Sequence, residues 1–216
     1  MTMTSALRRV TLTTHVTSSV GWLGAVLVFV ALATLGLASR DEATVRGAYL
    51  LMAPAAWFVL VPLAHTALLS GIVLSLGTAW GLFRHYWVVL KLGITAFATV
   101  FLLIYMGTFR QMAGVAADPV IELGLVRNPS PLVHAILALI LLVVATVLAI
   151  YKPFGMTPYG ARQLSRGRSD LAGAPWTTPP PSPSGLKWKY VASALAALAL
   201  LALLLAHHFL GQGFHH

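Results

Sequence analysis

The sequence predicts an all-α integral membrane protein, a four-helix transmembrane core followed by a fifth transmembrane helix. Three observations carry that expectation. Of the 216 residues, 58% are hydrophobic and only 9% are charged, and the mean hydropathy is +0.85; an ordinary soluble domain carries about 25% charged residues. The apolar residues fall into five long runs, of the order needed to cross a hydrocarbon core of about 30 Å. The charges are segregated between those runs. The net charge of +9 is concentrated in one connection, with six Lys and Arg against Asp170 between residues 152 and 189. That is a topology signal rather than a nucleic-acid footprint. There is no cysteine, which excludes disulfides, iron–sulfur clusters and thiolate metal sites and leaves histidine, methionine and lysine as ligands.

The first run spans residues 10–37. Arg8 and Arg9 precede it as in a signal peptide, but it is a full bilayer span with no evident small-residue cleavage site, so a retained helix is expected. Residues 38–46 form a connection in which Arg40 and Arg46 balance Asp41 and Glu42. The second run covers residues 47–81. At about 1.5 Å per residue it is roughly 50 Å long, so it must tilt, kink or break, with Pro54 and Pro62 as the kink points. The third run covers residues 84–108, and a polar connection with Arg110, Asp118, Glu122 and Arg127 follows. Asn128-Pro129-Ser130-Pro131 opens the fourth span, which ends near Tyr151.

Three regions result: the core, 1–151; a basic, Pro/Ser-rich loop, 152–189; and a fifth helix with a His-containing tail, 190–216. The centre of the loop, 174–185, reads as a disordered linker. With five spans the basic segments all fall on one side. The expected placement is the bacterial inner membrane, N-terminus cytoplasmic and C-terminus outside.

Function is sought where ionisable groups enter a span, because lipid makes them costly. His15, Ser18, Ser19 and Trp22 share a helical face on the first span, continuing to Val26 and Phe29. Lys91 lies seven residues past Arg84, much as His15 lies seven past Arg8, so both sit about 10 Å inward from the basic end. His65, three residues after Pro62, is expected somewhat deeper. His85 reads as interfacial beside Tyr86 and Trp87, and His134 starts the fourth span at the opposite surface. The terminal His207-His208 and His215-His216 pairs read as a polar tail. Each group also has a plain structural reading: His15 and His65 as hydrogen-bonded helix residues, Lys91 as a side chain snorkelling to the headgroups. Gly21 and Gly24 read as points of close helix approach, and the scattered Met residues form no thioether motif.

His15-Val-Thr-Ser-Ser-Val-Gly-Trp-Leu-Gly-Ala25 resembles a first-helix pattern of His, small and apolar residues, then Trp-hydrophobic-Gly. Along its whole length the chain resembles an uncharacterised bacterial family of predicted integral membrane proteins. More locally it is similar to the CopD-type copper-resistance membrane domain and to the HemJ-type protoporphyrinogen oxidase, a small helical haem-b protein. Trp87-Val-Val-Leu-Lys91-Leu looks like that oxidase's third-helix Lys pattern. The resemblance implies haem association for His15 and Lys91. It departs after Gly24, where residues 26–37 are uncharged and the oxidase family carries an Arg.

The expectation that follows is a b-type haem held in the bundle and serving electron transfer with a quinone or redox protein. His15 is the favoured axial ligand. His65 or Lys91 is the second ligand, or Lys91 pairs with a propionate. Ser18 or Ser19 holds the second imidazole nitrogen, and Trp22, Trp57 and Phe58 pack on the macrocycle. Two alternatives stand beside it: a proton- or metal-handling transporter using His15, His65 and Lys91, and a non-catalytic assembly protein whose basic loop rests on anionic lipid.

Overall fold

The computed structural model describes residues 3–172 apart from 79, 80, 123, 125, 126, 128, 153 and 154. The fifth apolar run, the linker at 174–185 and the terminal histidines therefore lie outside the described residues. Within them the chain is a helical bundle with four helical stretches long and apolar enough to cross a membrane.

Helix α1, Ser5–Ala38, starts where the Thr4 hydroxyl accepts the Leu7 N–H. It packs one stripe fully inward (Ser18, Trp22, Val26, Phe29, Ala33 and Gly36), with His15, Leu23, Ala25 and Leu32 partly buried beside it, and exposes most of the opposite face. That spacing is the helical repeat. The second crossing is one helical path built from α2 (Glu42–Ala55), a π-helical turn at Ala56–Leu60, and α3 (Val61–Gly77). Neither Pro54 nor Pro62 breaks it. Pro62 cannot donate, and the wider turn just before it absorbs the disrupted ladder, with the Val61 N–H reaching back five residues to the Ala56 carbonyl.

Helix α4, Tyr86–Ala117, runs nine residues past the expected end at Thr108, so Arg110 is on the helix rather than in the connection. Helix α5, Ser130–Tyr151, begins at the Pro-Ser-Pro signal and ends at Lys152, whose φ of 46° is the left-handed C-terminal stop. A further helix, α6, Pro158–Ala172, occupies the first part of the basic connection in place of the expected loop. Thr157 fixes its start: its N–H donates to the Arg84 carbonyl at 2.8 Å and its hydroxyl to the Phe83 carbonyl at 2.6 Å.

Helix α1 packs against α3 and α5, and α4 packs against α2, α3 and α5, so α1 and α4 sit diagonally across the bundle. They meet through long side chains, as where the Phe29 and Phe109 rings lie 5.4 Å apart. One end of the bundle gathers Arg8, Arg9, Arg84 and Lys152 and is called the basic end below; there the Met3 N–H donates to the Gly77 carbonyl. At the opposite end Arg46 ties the second crossing to α4. Its guanidinium donates to the carbonyls of Ala116, Asp118, Pro119 and Ile121 and pairs with Glu42 at 2.8 Å.

Candidate functional site

The diagonal placement of α1 and α4 brings two ionisable side chains together inside the basic half. Lys91 Nζ lies 3.1 Å from His15 Nε2. The other imidazole nitrogen, Nδ1, is 2.9 Å from the Ala67 carbonyl oxygen and 3.1 Å from Ser70 Oγ, both on α3. A carbonyl can only accept, so Nδ1 carries the hydrogen and Nε2 presents its lone pair. Lys91 is then the donor in its contact with Nε2. The Ser70 hydroxyl donates to the Thr66 carbonyl at 2.5 Å, which leaves its oxygen free to accept from Nδ1.

The local sequence explains how the imidazole reaches α3. Gly71 stands opposite it, and a Cβ there would lie 3.0 Å from His15 Cε1. Ala67 and Gly71 are one helical turn apart on the face turned toward α1. Small side chains at both let the ring lie flat on the α3 backbone and find a carbonyl.

The pair forms one wall of a cavity of about 230 Å³ that reaches toward Arg8 and Thr78 at the basic end. Leu12, Leu68, Leu74 and Leu92 supply apolar walls, with Trp87 and Thr95 from α4. No Asp or Glu is among its described lining residues. Among the described residues no three His, Asp or Glu side chains converge as a metal cluster would.

The other expected site residues are distributed elsewhere. His65 is on α3 but two residues from Ala67, about 200° round the helix, and its Nδ1 donates to the Val61 carbonyl of its own helix at 2.8 Å. It does not line the cavity. The Ser18 hydroxyl donates to the His15 carbonyl, and Ser19 is half-buried, so the second imidazole nitrogen is held by α3 rather than by either serine. Trp22 is 3% exposed and two turns further along α1, where it lines a separate, smaller cavity of about 70 Å³ with Phe29, Phe101, Tyr105 and His134. Trp57 and Phe58, expected against a macrocycle, are 55% and 74% exposed on the lipid side.

His134 is 7% exposed and belongs to the opposite half. Its Nδ1 donates to the Ser130 carbonyl at 2.6 Å, its ring centroid is 4.4 Å from that of Tyr105, and the Tyr105 hydroxyl meets Ser130 Oγ at 2.6 Å. His85 sits at the basic end in an isolated bridge with Met156. Sequence reasoning missed Ala67, Ser70 and Gly71. The only trace they leave is a Ser-Gly pair interrupting an apolar helix.

No family model, curated protein or solved structure matches the chain.

Proposed function

We propose that this chain is a small multi-pass protein of the bacterial inner membrane that binds b-type haem between its helices and passes electrons between that haem and a quinone or a redox protein. One observation supports this most. The His15 imidazole is locked by the Ala67 carbonyl through Nδ1, so Nε2 is turned into a cavity between helices. A neutral imidazole with its second nitrogen tied to a carbonyl is the form that ligates iron.

The donor set fits the group. His15 would hold the iron, and Lys91 with Arg8 at the cavity mouth would take propionates. Lys91 must then leave Nε2, which its flexible stem permits. Space is the tighter condition: about 230 Å³ is below the roughly 300–1,000 Å³ of ordinary ligand pockets, so the cavity has to widen on binding. When bound, the haem supplies one-electron chemistry. The chain's own part is to orient the imidazole through Ala67 and Ser70 and to exclude water with Leu12, Leu68 and Leu92. The resemblance of His15 and Lys91 to the HemJ-type pattern points the same way.

The test is a reduced-minus-oxidised visible spectrum of protein expressed with ample haem. A Soret band that His15→Ala abolishes is expected; no band at all sinks the proposal.

A second reading has its own observation. Lys91 Nζ and His15 Nε2 are in direct contact with no carboxylate among the described lining residues, an arrangement that shares and passes a proton. Proton flux into liposomes that is lost in both His15→Ala and Lys91→Met, from protein without a Soret band, would favour it.

A further inference from the structure

The cavity beside Lys91 has a charge that its described walls do not balance. An ammonium carries three donors. Among the described residues Lys91 Nζ spends one, on His15 Nε2. Arg8 lines the same cavity, and no carboxylate does so among the described residues. An ammonium shielded from water needs acceptors for its remaining hydrogens, and the most favourable acceptor is an anionic oxygen. The other walls are mainly leucines, Val88 and Trp87, and the helices around them face lipid. The hydroxyls of Ser75, Thr78 and Thr95 each donate to a carbonyl of their own helix and carry no charge to balance Lys91. At about 230 Å³ the cavity is below the roughly 300–1,000 Å³ of pockets that enclose a whole ligand, so it takes the head of an amphiphile and not its full acyl chain. The rest of such a ligand has to leave between helices into the bilayer.

We infer that this cavity binds the anionic oxygen headgroup of an amphiphile, a carboxylate or a phosphodiester on an apolar body, with Lys91 and Arg8 as its two cationic contacts. Lys91 turns its unspent donors to the headgroup, and the Arg8 fork closes the mouth bidentately. The inference shares its cavity with the haem reading and stands without it, because an anion binds Lys91 whether or not iron reaches His15.

Trp87 in the cavity wall gives the readout. Haem-free protein in phosphatidylcholine nanodiscs is titrated with dibromostearate and, separately, with dibrominated phosphatidylglycerol. The fluorescence of Trp87 is taken as the difference between the chain and Trp87→Phe. Saturable quenching is expected from at least one probe, and whichever quenches identifies the headgroup. It should weaken at least about tenfold in Lys91→Met and in Arg8→Gln and persist in Lys91→Arg. Arg8 is exposed, so its variant remains informative if Lys91→Met fails to fold. Trp87 unquenched by both probes, or quenched as strongly in Arg8→Gln and Lys91→Met as in the native chain, overturns the inference. Quenching without a Soret band in the haem-loaded preparation rejects only the haem; a Soret band without quenching rejects only the amphiphile.

Discussion

Three small residues decide where His15 goes. Ala67, Ser70 and Gly71 leave the α3 backbone bare enough for an imidazole to lie on it, and Gly71 is the most exacting of them. With a Cβ only 3.0 Å from His15 Cε1, Gly71→Ala forces the ring to shift by a few tenths of an ångström. An overpacking cost of about 1 kcal/mol is expected. Gly71→Leu fills the space outright and should expel the ring. The side-chain nitrogen shifts of His15 would then report loss of the Nδ1 hydrogen bond, alongside a lower unfolding midpoint in detergent. If Gly71→Leu leaves both unchanged, His15 does not lie on α3. His65→Ala makes the opposite prediction. Its ring is satisfied within its own helix, so the His15 shifts and any haem spectrum should stay as they were. The depth of His15 and Lys91 was legible in the sequence, because counting from Arg8 and Arg84 needs only the rise per residue. The rotational position of His65 was not. It lies just past a π-helical turn, where the helical repeat loses step, so its face cannot be counted from Gly47.

At the scale of elements, the connections hold the helices in register. Arg46 on α2 holds the C-terminal end of α4 by donating to four of its terminal and following carbonyls, those of Ala116, Asp118, Pro119 and Ile121, while pairing with Glu42. Those carbonyls have no helical partners of their own. Arg46→Met should cost about 2 kcal/mol in reversible unfolding, and Arg46→Lys should recover little, since a point charge cannot span several carbonyls. A full rescue by lysine would contradict that geometry. Nearby, Asp41 caps α2, and the Thr44 hydroxyl and N–H hold its carboxyl below the ordinary carboxylate range. A depressed folded value means the cap stabilises fully above about pH 4, the unfolded value. The stabilisation then fades as pH falls through the lower folded one. Between pH 5 and pH 3 the native chain should lose more stability than Asp41→Asn; equal losses would show that the cap does not titrate. The second crossing was legible as too long for one straight span. Which of tilting, kinking or breaking it adopts was not, because Pro54 and Pro62 mark kink points without saying whether the helix continues through them, and the compensating π-helical turn has no sequence signature. Helix α6 was hidden for another reason: it is short and polar, and its start depends on Thr157 bonding to carbonyls 73 and 74 residues away.

For the whole molecule, the question is which water phase the cavity meets. Its mouth lies at Arg8, on the end that also carries Arg9, Arg84, Lys152 and Arg162, whereas at the other end Arg40, Arg46 and Arg127 are offset by Asp41, Glu42, Asp118 and Glu122. Charge of that kind orients a polytopic chain with its basic end in the cytoplasm. The fold class was legible because composition alone demands lipid, and four of the five expected crossings follow from hydropathy; the fifth lies beyond the described residues. Orientation is open to direct measurement because the chain has no cysteine. Single cysteines can be placed at exposed positions: Ser5→Cys and Ser165→Cys at the basic end, Ala43→Cys at the other. In intact cells an impermeant maleimide should label only Ala43→Cys, and in inverted vesicles only the two serine variants. The reverse pattern would put Arg8 outside, and an anion reaching Lys91 would then have to come from the outer leaflet. Labelling of Ser5→Cys and Ser165→Cys from opposite faces would require an odd number of crossings between them. That would contradict the four-helix bundle itself, since in it both residues stand at the same end.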